Sequence, residues 1–203
     1  MTSLRRAALL CALLVFAVPA CRGDTTVSAP APPDLQARLL TVGDLPAGWA
    51  PDFSPPPAKG QEPACFGQAQ ANLRSRTTAQ ARFVSSEYLP TFVESLSYFG
   101  AAPAASAALA RAVGAMTSCG RLSFRSDSTS FTGAIGPAVT AGIGSDARAW
   151  RIALQGSDGS VVGVYLVLAR HGAIVLLGIV GDARKQVRPA LLALPTMAYF
   201  KIT

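Results

Sequence analysis

The chain has 203 residues, 18 basic and 11 acidic side chains, one histidine and four cysteines. Half of it is apolar and 14% charged, which excludes an intrinsically disordered chain and suits a domain with a real core. The formal charge of +7 is carried mostly by scattered arginines, with no basic helix and no basic-aromatic sheet motif, so no nucleic-acid partner is expected.

Arg5 and Arg6 precede the apolar run 7–17, which Val18-Pro19-Ala20-Cys21 closes. A charged, an apolar and a small-residue region in this order form an export signal, and the run is too short for a membrane span. The box resembles the processing site of bacterial lipoproteins. That resemblance implies that residues 1–20 are removed and that Cys21 is acylated, becomes the first residue and holds the chain on the outer face of the cell membrane. The alternative is an ordinary secretory signal cut after Ala20. Removal of residues 1–20 leaves 183 residues and a charge of +5, enough chain for one domain. A mildly basic exported domain gains weak, salt-sensitive attraction to anionic head groups or acidic polymers.

Residues 21–33 read as the lipidated cysteine and a Pro/Ala-rich tether, and 34–203 as a single globular domain. Arg22-Gly23-Asp24 is a chance-level tripeptide and receives no function. Asp34 is placed to cap a short helix with Leu35 and Leu39 on one face, and Gly43 and Pro46 break it. The following turn drops Trp49 onto the core. Residues 50–67, with Pro55, Pro56 and Pro57 in a row, are expected to be irregular. Strands are expected over 79–88 and 91–99, joined by a turn at Leu89-Pro90. Pro103 opens a helix over 103–117 whose Ala105, Leu109, Ala112, Val113 and Met116 form one apolar stripe. One or two strands follow up to Gly136-Pro137. Trp150, Ile152 and Leu154 alternate in a half-buried strand that turns at 156–159. The apolar runs 161–168 and 173–180 read as a central hairpin covered on both faces. A membrane span over 161–180 would place Arg170 and His171 in its middle, at a cost of about 2.5–3.5 kcal/mol for the arginine. Pro189 and Pro195 predict a short, kinked C-terminal helix over the sheet.

Cys11 leaves with the signal and Cys21 takes the lipid, so Cys65 and Cys119 remain as an even pair in an exported chain. A disulfide is the natural assignment. Metal binding or a nucleophilic thiol would need partners that the sequence lacks, since there is no CxxC and His171 is far away. Neither a metal nor a cofactor is expected. Gly142-Ile143-Gly144-Ser145-Asp146-Ala147 fits one form of the dinucleotide fingerprint, but a strand rather than a helix should follow it, and a glycine-rich turn explains it. With one histidine and no GxSxG, a serine triad has no base to use. Asp127, Asp146, Asp158 and Asp182 fall near turns without metal-loop spacing. Glu87 and Glu94, the acids inside the expected strands, are a weak candidate pair for hydrolysis of cell-wall polymer.

The succession LLTVGDLPAGW, Cys65, FVESLSYF, the alanine-rich helix ending at Cys119 and a following sheet is similar to actinobacterial sensor-domain lipoproteins. These in turn resemble the extracellular domain of the mycobacterial kinase PknH. This chain has cysteines for one disulfide where that domain carries two, and Thr117-Ser118 stand where a tryptophan often precedes the helix-end cysteine. The resemblance implies a groove between helix and sheet and a binding role without catalysis. The fold expected is α+β, a two-layer sandwich of an antiparallel sheet covered by the 103–117 and C-terminal helices. The alternatives are a lipid or glycolipid carrier, with a cavity lined by residues such as Phe92, Leu96, Val164 and Leu176, and a cell-wall-acting enzyme. The expected partners are the membrane and an envelope lipid, polymer or protein ligand.

Overall fold

The computed structural model describes residues 32–53, 63–85, 89–126, 129–140 and 142–203. Its centre is an eight-stranded, wholly antiparallel sheet in the order β1-β2-β3-β8-β7-β6-β5-β4. The strands are β1 (Ala50–Pro51), β2 (Thr77–Val84), β3 (Thr91–Tyr98), β4 (Arg121–Ser126), β5 (Thr129–Ala138), β6 (Arg148–Gly156), β7 (Val161–His171) and β8 (Ile174–Asp182). Among the described residues three α-helices accompany them: α1 (Ala64–Asn72), α2 (Ala102–Thr117) and α3 (Leu194–Ile202), the last preceded by a 3-10 turn at Pro189–Ala193.

The order follows from one long connection. After β3 the chain crosses the sheet as α2 and enters β4 at the far edge, and a meander through β5, β6 and β7 brings β8 back beside β3. Sixteen helical residues rise about 24 Å. The five strand spacings between β3 and β4 at about 4.8 Å each give nearly the same length. Alanines let α2 lie close, with Ala105, Ala108 and Ala112 wholly buried. Its stripe, with Leu109 and Met116, packs on Trp150, Leu166, Leu168 and Val175, and α1 adds Ala69 and Leu73.

The opposite face carries a second core. Phe92, Leu96, Val167, Ala169, Leu176 and Val180 are covered there by Leu35, Leu39, Leu40, Leu45 and Trp49 of the N-terminal segment and by Leu191, Leu194, Ala198 and Ile202. Each fully buried leucine or phenylalanine contributes about 1.5–3 kcal/mol. The layering therefore differs from the two-layer expectation: α1 and α2 lie on one face and α3 on the other. The reason is in β7 and β8, whose residues of both parities are apolar and must both leave water. Among the described residues no helix is long and apolar enough to cross a membrane, and 161–180 is a hairpin.

Local chemistry accounts for the remaining differences. Asp34 caps as expected, its Oδ1 accepting the N–H groups of Gln36 (3.0 Å) and Ala37 (3.3 Å), but the turn it starts is a single 3-10 turn. Cys65 was expected in a loop and lies instead in the first turn of α1, which Pro63 opens. Helix-forming Ala and Gln dominate 64–72 without an apolar stripe, so periodicity gives this helix no signal. Asp182, expected near a turn, ends β8 and accepts from Arg188. Glycine 142 to alanine 147 forms the turn into β6, not a nucleotide loop.

Cys65 and Cys119 are bonded, with Cα atoms 5.9 Å apart, tying the start of α1 to the end of α2. In the chain-entropy model a closed loop of this size is worth on the order of 4 kcal/mol. Cys119→Ser should therefore lower the melting temperature, and limited proteolysis read by mass spectrometry should cut first around α1. The β7–β8 hairpin, buried on both faces, should be the last region to yield. Unchanged melting and an unchanged cleavage pattern would show that the bond carries no structural load.

Candidate functional site

The two layers do not cover the sheet equally. On the α3 face, cover reaches from β2 to β7 and takes in Ala149 of β6 and Ala138 of β5, and it leaves β4 and the rest of β5 and β6 bare. On the bare part the side chains of this parity are Arg121, Ser123 and Arg125 on β4, Ser130, Thr132 and Ala134 on β5, and Arg151, Ala153 and Gln155 on β6; all are exposed except half-buried Ala153. Where the cover ends, the segment 183–188 runs over β7 and walls a groove of about 610 Å³. This is within the size range of small-molecule sites.

The groove's floor is set by register. Ala134, Ala153 and Gly163 stand in one row across β5, β6 and β7, and Gly136, Arg151 and Tyr165 in the next. The first row is a depression because its side chains are a methyl group or nothing. Gly163 is required there: a Cβ would lie 2.4 Å from the Arg184 carbonyl oxygen and 3.0 Å from that of Lys185. The other wall is apolar, from Val187, Pro189 and Leu192.

Among the described residues four cations line the groove, Arg151, Arg184, Lys185 and Arg188, and no acid does. Arg188 is committed: its Nε and backbone N–H donate to Asp182 Oδ2 at 2.9 and 3.1 Å, and the Asp182 side chain is buried. This pair fixes the base of the 183–188 segment. Arg151, Arg184 and Lys185 make no ion pair among the described residues. Arg151 stands opposite Tyr165, whose hydroxyl donates to the Val139 carbonyl at 2.8 Å. Burial pushes the Tyr165 phenol up, and the Arg151 charge works against that shift.

A second polar feature lies under the N-terminal segment. Glu94 is fully buried on β3, on the same face as Phe92 and Leu96, with Ala81 and Gly178 as cross-strand partners. Those two small neighbours leave room for the carboxyl. Its Oε2 accepts the Leu40 N–H at 2.9 Å, and Oε1 has no hydrogen-bond partner among the described residues. Next to Leu40, Asp44 Oδ2 accepts from the Thr41 N–H (2.6 Å), the Thr41 hydroxyl (2.8 Å) and Lys201 Nζ (2.5 Å). Arg38 Nη1 donates to the Ile202 carbonyl at 3.0 Å. The segment is thus held to β3 by one bond and to α3 by two.

These environments push two carboxyls apart. Desolvation raises Glu94 to about 7, opposed by the Leu40 N–H and the Lys201 charge and reinforced by Asp44. Lys201 and the two Thr41 donors lower Asp44 to about 2.

The other sequence candidates fare variously. Glu87 and Cys21 lie outside the described residues. Glu94, sealed beneath Leu40, is out of reach of a polymer. Phe92, Leu96 and Leu176 are packed core and do not line the groove, while Val164 does. His171 is exposed at the end of β7. Asp146 pairs with Arg170, and Asp158 serves its own turn by accepting from the Ser160 N–H and hydroxyl. Among the described residues no group of three His, Cys, Asp or Glu is placed to hold a metal. Two signals could have revealed what was missed. Phe92, Glu94 and Leu96 share a parity, which puts the acid on an apolar face; and Arg184-Lys185 follow a strand end directly.

No family model matches the chain, and no curated protein does. Among solved structures the fold matches the extracellular domain of PknH from Mycobacterium tuberculosis, with a TM-score of 0.62 over 82% of this chain and 93% of that one. Sequence identity is 9%, so the likeness is one of fold.

Glu94 gives stability a pH dependence whose sign is fixed. Its folded value of about 7 exceeds the ordinary 4.5, so the folded state holds the proton more tightly. The contribution, on the order of 3 kcal/mol, is fully present below about pH 4.5 and lost as pH rises through about 7. Asp44 acts in a separate window: its contribution is present above pH 3.8 and lost as pH falls through about 2. Urea melts between pH 4 and 8 should show stability falling with pH, and Glu94→Gln should flatten that slope. An identical slope in the variant would assign it to other groups.

Proposed function

We propose that this chain is an extracytoplasmic binding module of sensor type, held on the cell membrane through an acylated Cys21, and that it takes its ligand in the groove between the 183–188 segment and the β5–β6 floor. The observation that carries the binding role is the groove itself. It is concave, its wall is fixed by the Asp182–Arg188 pair, and three cations without acidic partners stand around it. These exposed cations give the groove a positive field that attracts an anionic ligand and supply charge-assisted hydrogen bonds to it. Placement outside the cytoplasm is supported by the export-signal pattern of residues 1–20 and by the likeness to the fold of an extracellular domain. Among the described residues Glu94 is sealed and the aspartates near the sheet are bound in turns or ion pairs, and the role we assign is binding without catalysis. The packed state of Phe92, Leu96 and Leu176 favours the groove over an internal lipid cavity.

Anchoring and binding separate experimentally. Cys21→Ala should move the protein from the membrane fraction to unprocessed or soluble forms; partition like the wild type would remove the anchor. Two acyl chains suffice for stable attachment, whereas one is marginal. Native mass spectrometry of the membrane-extracted protein should show a co-purifying molecule, and Ala153→Trp, which fills the floor, should lose it. A ligand retained in Ala153→Trp would place binding elsewhere.

A further inference from the structure

We infer that the groove selects a phosphate ester joined to a compact apolar portion. The inference rests on the groove being the ligand site and adds the chemistry it reads. Arg151 rises from the floor, and Arg184 and Lys185 stand on the wall, all three exposed and none in an ion pair among the described residues. They come from two elements 33 residues apart in sequence, and among the described residues no acid lines the groove to balance them. Guanidinium groups match the paired oxygens of a phosphate in a two-pronged geometry, and the ammonium adds a mobile point charge. An anion of charge near −2 suits three such groups better than a single carboxylate does.

The rest of the lining specifies the other end of the ligand. Val187, Pro189 and Leu192 make an apolar wall, and Ala134 and Ala153 a shallow apolar floor. A purely inorganic anion would leave that surface wet, and a neutral apolar molecule would desolvate three charges without compensation. The other large groove, about 460 Å³ beside Pro137 and Trp150, shows the contrast. Its charged residue, Arg148, is already occupied, donating to the Ser145 and Ala147 carbonyls. On the bare sheet beyond, Arg121 and Arg125 extend the positive field and draw an anion toward the groove.

Calorimetric titration of the full-length protein in phosphatidylcholine nanodiscs, with empty discs subtracted, tests this. The probes are hexyl phosphate, dihexanoylphosphatidic acid, inorganic phosphate and hexanol. At least one of the two esters should bind, more tightly than inorganic phosphate, and hexanol should not bind. Which ester binds tells a free phosphate ester from a lipid head group. Arg151→Gln, Arg184→Gln and Lys185→Gln should each weaken the ester about tenfold and the triple variant at least a hundredfold, while Arg111→Gln on α2 should change nothing. Equal ester binding by the triple variant, or no ester binding at all, overturns the inference. A native ligand kept by the triple variant but lost in Ala153→Trp would leave the groove as the site and refute its charge selectivity; one kept by both would refute the groove.

Discussion

Strands β7 and β8 have to be buried on both faces, and most of the architecture follows from that requirement. Leu166, Leu168 and Val175 point to one side and Val167, Ala169, Leu176 and Val180 to the other, all nearly inaccessible to water. A sheet with one covered face could not hold this hairpin. The chain supplies two covers of different make: the packed pair α1 and α2 on one side, and a composite of the N-terminal segment and α3 on the other. The first is long enough to cross the sheet from β3 to β4. The second is not, and its shortfall leaves β4 to β6 open beside the 183–188 segment.

The same inequality separates rigid from adjustable parts. The α2 layer is closed by a disulfide and by alanine contacts that tolerate little change in volume. The α3 layer is held instead by polar attachments: Leu40 to Glu94, Asp44 to Lys201, Arg38 to the Ile202 carbonyl. A buried carboxyl with one oxygen unsatisfied is the weak member of this set, because its ionisation has to be borne by low-dielectric surroundings.

What was legible in the sequence was whatever depends on local pattern. The two apolar runs around Gly172 gave the hairpin, the alanine stripe gave α2, and the parity of cysteines gave the pairing of Cys65 with Cys119. Trp49 reaches the core as its turn suggested. Illegible features are those made by pairing over distance. Nothing near Arg151 announces that Arg184 and Lys185 will face it, since that depends on β7 lying between β6 and β8 and on Gly163 letting the backbone pass. The arginines that looked scattered along the chain are gathered by the sheet order. Helix α1 escaped because its burial comes through α2 and not through a stripe of its own.

Strand β4 closes the sheet at one side, with no strand beyond it among the described residues. Such an edge carries a row of unpaired N–H and C=O groups, a template on which another chain can stack and aggregate. Arg121 and Arg125 stand exposed on this edge, and two like-charged copies brought together there would repel. The arginines that extend the field of the groove therefore also oppose edge-to-edge stacking of like-charged copies. Evolution of a neutral ligand preference on this surface would have to supply another guard for the edge.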